Sequence, residues 1–248
     1  MTSTTETGHA KNVANLETMI TYIDVFGVMY NPSREAIKRP ALEALLLKAD
    51  TSVKLVNSLL PAYSNADAAR EVAFEPLNKL ITRVESAVKS TETTQQVDEN
   101  VRTITRKIKG IRATAKLTEE EKKALIEEGE SAKENSSSQQ SFDNRLDNLD
   151  KLIQQLDVIP QYTPNEEELK VETLKALYAD LKIKNTAVVA AKAPLKMARI
   201  QRDEVLYNPL TGLVDIALDT KTYIKSVFGA SSLQFKQVSS LEFKIIKS

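Results

Sequence analysis

Apolar residues recur along most of the chain at three- and four-residue spacing, the period of an α-helix with one buried face. Leu16, Met19, Ile20, Ile23 and Phe26 form the first such stripe, with Asn15 placed to cap it and Gly27 to end it. Asn31 before Pro32 reads as the start of a second helix, because proline is tolerated at the first helical position. The stripe that follows, Ile37, Leu42, Leu45, Leu46, Ala49, Val53, Val56 and Leu60, is broad enough to need neighbours on more than one side. Pro61, with the capping types Ser64, Asn65 and Asp67 behind it, predicts a turn. The rival reading is one long rod kinked at Pro61 and Pro76. Val72, Phe74, Leu77, Leu80, Ile81, Val84 and Val88 mark the next helix, STETTQQ from Ser90 a loop, and Val101, Ile104, Ile108 and Ile111 a short fourth helix.

The pattern then recurs. NLETMITYIDVF from Asn15 returns as NLDKLIQQLDVI from Asn148, identical at Asn, Leu, Ile, Asp and Val. YNPSREAIKRPALEAL from Tyr30 faces YTPNEEELKVETLKAL from Tyr162, and REVAFEPLNKLI from Arg70 faces DEVLYNPLTGLV from Asp203. Matches that stay in step over three segments imply one helical unit written twice. In the second copy Thr163, Pro164 and Glu166 read as cap, first helical residue and box partner. Leu174, Leu177, Tyr178, Leu181, Val188 and Ala191 form its central stripe, with the small-residue segment AVVAAKA suited to tight packing. After Pro194 one helix is expected from Leu195 toward Phe228, stopped by Gly229, and the tail SSLQFKQVSSLEFKIIKS is expected as a short helix or an extended strand. At Pro61, Pro76, Pro194 and Pro209 the pattern allows either a break or a kink.

The expected fold class is therefore all-α, an antiparallel helical bundle built from two tandem homologous units. The expected organisation is a disordered tail over 1–13, unit one over 14–112, a connector over 113–146 and unit two over 147–248. Within the connector, Thr118 and Glu121 make a capping box for a short acidic helix ending at Gly129, followed by the Ser-rich linker ESAKENSSSQQS.

Composition agrees with a helical protein: 6 glycines and 8 prolines in 248 residues. Equal totals of 34 basic and 34 acidic residues give no global field for nucleic acid or anionic membrane. Without cysteine, disulfides, thiolate metal sites and cysteine nucleophiles are excluded. The start MTSTTETGHAKN is polar and lacks the apolar core of a secretory signal, so a cytoplasmic protein is expected, non-classical export being the alternative.

SFDNRLDNLDKLI from Ser141 and YNPLTGLVDIALDTKTYIKSVFGASSLQFKQ from Tyr207 resemble a group of helical proteins from Bacteroidota to which no activity is assigned. The resemblance covers mainly the second half. It implies a bacterial origin and no site residues.

Chemistry is sparse. The single histidine, His9, falls in the expected tail, which removes His-based triads and the Glu-x-x-His pairs of di-iron bundles. No phosphate-binding glycine loop is present, and no cofactor is expected. Asp143, Asp147 and Asp150 lack the glycine and distal glutamate of a calcium loop and read as a solvated face, while Asp24 and Asp157 share one repeat position and read as local backbone partners. Arg102, Arg106, Lys107, Lys109, Arg112 and Lys116 form the distinctly basic run, a possible anion-binding face on a helix whose Val101, Ile104, Ile108 and Ile111 point inward. It lacks stacking aromatics, and the acidic connector can neutralise it. The expected function is a non-enzymatic scaffold or protein-interaction protein, with a protein partner or self-association. A membrane-active helical protein is the alternative, followed by polyanion binding through 102–116.

Overall fold

The computed structural model describes residues 4–111 and 140–246, and these are helical with no strand among them. The helices are α1 (Thr4–Phe26), α2 (Arg39–Phe74), α3 (Leu77–Lys89), α4 (Gln95–Lys109), α5 (Phe142–Asp157), α6 (Val171–Tyr207), α7 (Leu213–Phe228) and α8 (Leu233–Ser239). Short 3-10 turns at Glu35–Ile37 and Glu167–Leu169 precede α2 and α6. The all-α class expected from the sequence is the class observed. The acidic connector helix, Arg112 and Lys116 lie outside the described residues.

Two compact units share the chain: unit 1 is Met1–Tyr63 with Ala191–Ser248, and unit 2 is Ser64–Ala190. Each has its own core. In unit 1, Leu16, Met19 and Ile23 of α1 close with Leu42 and Ala49 of α2, Leu206 of α6, and Leu213, Ala217 and Ile224 of α7. In unit 2, Phe74, Ile81, Val84 and Val88 close with Val101 and Ile108 of α4, Leu149, Leu152 and Leu156 of α5, and Leu174 and Leu181 of α6. These units are not the stretches 14–112 and 147–248. Each takes the opening helices of one sequence half and the closing helices of the other. An apolar stripe states that a face is buried but not against what, and two similar halves offer equivalent partners.

The helices run through two of the prolines and stop at the other two. Helices α2 and α6 run unbroken through Pro61 and Pro194, so the turn expected at Pro61 does not form. Each proline removes one backbone donor, leaving the carbonyls of Asn57 and Ala190, and both of those residues are exposed to water that can satisfy them. At Pro76 the helix stops and α3 restarts at once. At Pro209 the interruption is longer, so α7 begins at Leu213 and the single helix expected from Leu195 to Phe228 is two. There the chain needs Gly212: an added Cβ would lie 2.7 and 2.8 Å from the Asn208 backbone N and O. Leu210 takes φ 68°, and its N–H is held by Asp215 Oδ2 at 2.8 Å.

Two other start signals are displaced. Asn15 lies inside α1 rather than capping it, and 1–13 is not a disordered tail where described, since α1 begins at Thr4 with His9 and Asn12 buried. Asn31–Pro32 and Thr163–Pro164 precede their helices by several residues. The reason is the same in both places. Tyr30 donates its hydroxyl to the Ile37 carbonyl at 2.5 Å and Tyr162 to the Leu169 carbonyl at 2.7 Å, pinning an arch that delays the helix until Arg39 or Val171.

Candidate functional site

Of the described residues of the basic run, only some form an exposed cationic surface. Arg102 and Lys107 of α4 are exposed, Arg106 is half-buried, and no described residue forms an ion pair with them. Lys109 turns inward instead, its Nζ 2.9 Å from Glu85 Oε2, with both side chains about 15% exposed. Thr105 donates to the same carboxylate at 3.0 Å, and Lys89 reaches its other oxygen at 3.3 Å. Burial alone would push the Glu85 carboxyl up, but the hydrogen bonds from Lys109 and Thr105 outweigh it and hold it below the usual carboxylate range. The expectation that Lys109 faces solvent is corrected: a buried carboxylate on α3 requires a cation, and α4 supplies it. Ile111, expected inward, is 54% exposed because it lies beyond the helix end. Gly110 makes that end, at φ 68°, with Ile111 N–H to Arg106 O at 2.9 Å. Cations crowding this last turn complement the helix dipole.

The carboxylates are likewise absorbed locally. Asp143 accepts from Asn185 Nδ2 at 2.7 Å, Asp147 pairs with Lys151 at 2.5 Å, and Asp150 accepts from Gln154 at 2.6 Å. Among the described residues no cluster could hold a metal ion. Asp24 pairs with Arg39, which lowers its carboxyl below the usual range, and Asp157 pairs with Lys175 at 3.1 Å. Both therefore hold side chains of the following helix, not the local backbone expected of them.

Sequence reasoning missed a buried polar cluster in unit 1. His9 Nδ1 lies 2.6 Å from the Tyr207 hydroxyl, and Asn12 donates to that hydroxyl at 3.4 Å. The Asn12 amide also spans Lys244, giving its Nδ2–H to the carbonyl at 2.7 Å and accepting the N–H at 3.1 Å. Asn15 gives a hydrogen bond to the Glu242 carbonyl at 2.6 Å, and Lys221 to the carbonyls of Ser239 and Leu241. Burial pushes the Tyr207 phenol up. The hydrogen bonds from Asn12, Asn15 and Lys221 to this end of the chain all go to backbone, and Lys221 also lies over the Phe243 ring at 5.3 Å, so the cluster fastens the extended segment after α8 onto α1 and α7. The available signal was the match of Tyr207 with Phe74, an aromatic given a hydroxyl in one copy alone.

Among the depressions on the surface of unit 2, two adjoin Arg83. One, of about 330 Å³, is walled by Pro76, Leu80, Thr173 and Leu177; the other, of about 390 Å³, by Ser86, Ala87, Ser90, Glu166 and Leu169. Arg83 borders both and pairs with Glu168.

Apolar side chains also remain open on α6. Ile183 is 65%, Val189 60%, Met197 56% and Ile200 51% exposed. In the AVVAAKA segment only Val188 is buried, so the expected tight packing of its alanines is not observed. No helix among the described residues is long and apolar enough to cross a membrane. No protein-family model matches the sequence, and comparisons with curated proteins and with solved structures return no significant match.

Proposed function

We propose that the chain is a non-enzymatic helical scaffold that binds another protein or a second copy of itself. The observation that carries this reading is the open apolar side of α6 within unit 1, where Met197 and Ile200, about one turn apart, are each more than half exposed. Large aliphatic side chains grouped on one helix, rather than scattered singly, are characteristic of interaction surfaces. The polar groups support the same reading, because those that are buried serve the fold: Glu85 and Lys109 hold α3 to α4, Asn12 and Tyr207 hold the tail, and Tyr30 and Tyr162 hold carbonyls. The matched arches and ion pairs of the two sequence halves support their origin as tandem copies, with Lys38–Glu35 answering Lys170–Glu167, both at 2.5 Å.

Affinity purification with crosslinking from native cells tests the proposal when wild type is compared with the Met197→Lys, Ile200→Lys double variant. Recovery of a defined partner, or of the chain itself, by wild type and its loss in the variant supports it. Equal recovery from both removes α6 as the interaction surface.

A further inference from the structure

The part of α6 that belongs to unit 1, residues 191–207, presents an ordered pattern to solvent. Ala193, Met197, Ile200 and Glu204 are all exposed and follow one another at spacings of four, three and four, the period of a seam between two paired helices. On the opposite side of the helix, Leu195, Ala198 and Leu206 are buried in the core clusters of the unit. The open seam therefore has no neighbour to cover it within unit 1.

Charge gives the seam a direction. Lys192 and Lys196 flank its first half and Glu204 closes it; all three are exposed, and among the described residues none has an ion-pair partner. Elsewhere in unit 1 exposed charges do find partners, as Arg34 with Asp219, Arg39 with Asp24 and Lys54 with Asp50. Read from 192 to 204, the face runs from two cations through two large apolar side chains to one anion. That order is complementary to itself when a second helix runs the other way.

We infer that the open face of α6 is the contact between two copies of the chain, with the two α6 helices antiparallel about a two-fold axis. The inference rests on the reading of this face as the interaction surface and names its occupant. Crossing between Met197 and Ile200, such a pair sets Met197 of each copy against Ile200 of the other, and Glu204 of each between Lys192 and Lys196 of the other. Every contact then occurs twice, as an isologous interface requires. A parallel pair would set lysine against lysine and glutamate against glutamate, which is repulsive. A foreign helix would need the same order of charges in reverse, and a second copy already carries it. One helix face per copy is a small interface, so the association is weak and shows at high concentration.

Sedimentation velocity of the full chain, followed up to about 1 mM, tests this. The wild type is expected to pass reversibly from monomer to dimer and no further, because a two-fold contact closes on itself. Ile200→Lys should keep the chain monomeric. Lys196→Glu and Glu204→Lys should each weaken the dimer about tenfold when alone, and an equal mixture of the two should recover wild-type affinity, since each supplies the charge the other needs. Glu99→Lys on α4 is the charge control and should change nothing, and circular dichroism should be the same for every variant. A wild type that stays monomeric, a dimer that survives Ile200→Lys, or single charge variants that associate as wild type or are not rescued by mixing would each overturn the inference. The scaffold reading fails separately. If the wild type is monomeric but a foreign partner from native cells is lost in the Met197→Lys, Ile200→Lys variant, that reading stands and only the second copy is removed.

Discussion

The Tyr162 hydroxyl donates a hydrogen bond to the carbonyl of Leu169, seven residues ahead, and the phenol is buried by the arch it closes. Replacing Tyr162 by Phe keeps the ring and strands a buried acceptor. The expected cost is about 1–3 kcal/mol, read as a lower urea midpoint at constant slope.

The same burial makes stability depend on alkaline pH. Desolvation pushes both Tyr30 and Tyr162 up from 10.0 to about 12. Phenols favoured in their neutral form by the fold give stability that is complete below the unfolded pKa and is lost as pH rises through the folded one. Unfolding free energy should hold to about pH 10 and fall from there toward about 12, more steeply in wild type than in Tyr162→Phe. Parallel pH profiles would contradict this.

At Glu85 the sign is opposite. Its carboxyl is held below the usual range, so its contribution is present above the unfolded value of 4.5 and fades as pH falls through the folded one. Lys109→Glu would set two carboxylates together in a half-dry site and should lower stability by about 3 kcal/mol or more. Arg102→Glu and Lys107→Glu, on the exposed side of α4, should change it by less than about 0.5 kcal/mol. Retention on heparin should be weak and little altered by either surface change.

Asn12→Ala removes both bonds to Lys244 and leaves Tyr207 one partner fewer. Hydrogen exchange at Glu242–Ile246 should accelerate by about tenfold, the equivalent of one net hydrogen bond, while amides in the unit 2 core stay protected.

Leu210 is held at φ 68°, a region that costs a non-glycine residue about 1–2 kcal/mol. Its side chain is 73% exposed and contributes little packing in return. Leu210→Asn should raise the melting temperature by a few degrees, since asparagine tolerates that backbone conformation better.

The helices were legible because their stripes are local. Leu16, Met19, Ile20, Ile23 and Phe26 are all buried as their spacing requires, and so are Val84, Val88, Val101 and Ile108. Partnership was not legible: the stripe of α1 reads the same whether α3 or α7 covers it. Proline and capping signals misled wherever tertiary contacts prevailed, as at Asn31–Pro32, where a hydroxyl seven residues from its acceptor sets the helix start. Of the basic run, Arg102 and Lys107 are exposed as expected. Lys109 is withdrawn by Glu85, a residue on the preceding helix that no reading of the run by itself would include.

The most direct test of the interaction surface is a photo-crosslinking amino acid placed at Met197, with Glu99 of α4 as the exposed control. The scaffold reading predicts one defined adduct from position 197 in native cells, either a partner protein or a second copy of the chain, lost on Ile200→Lys and not formed from position 99. Equal, diffuse labelling from both positions would contradict it.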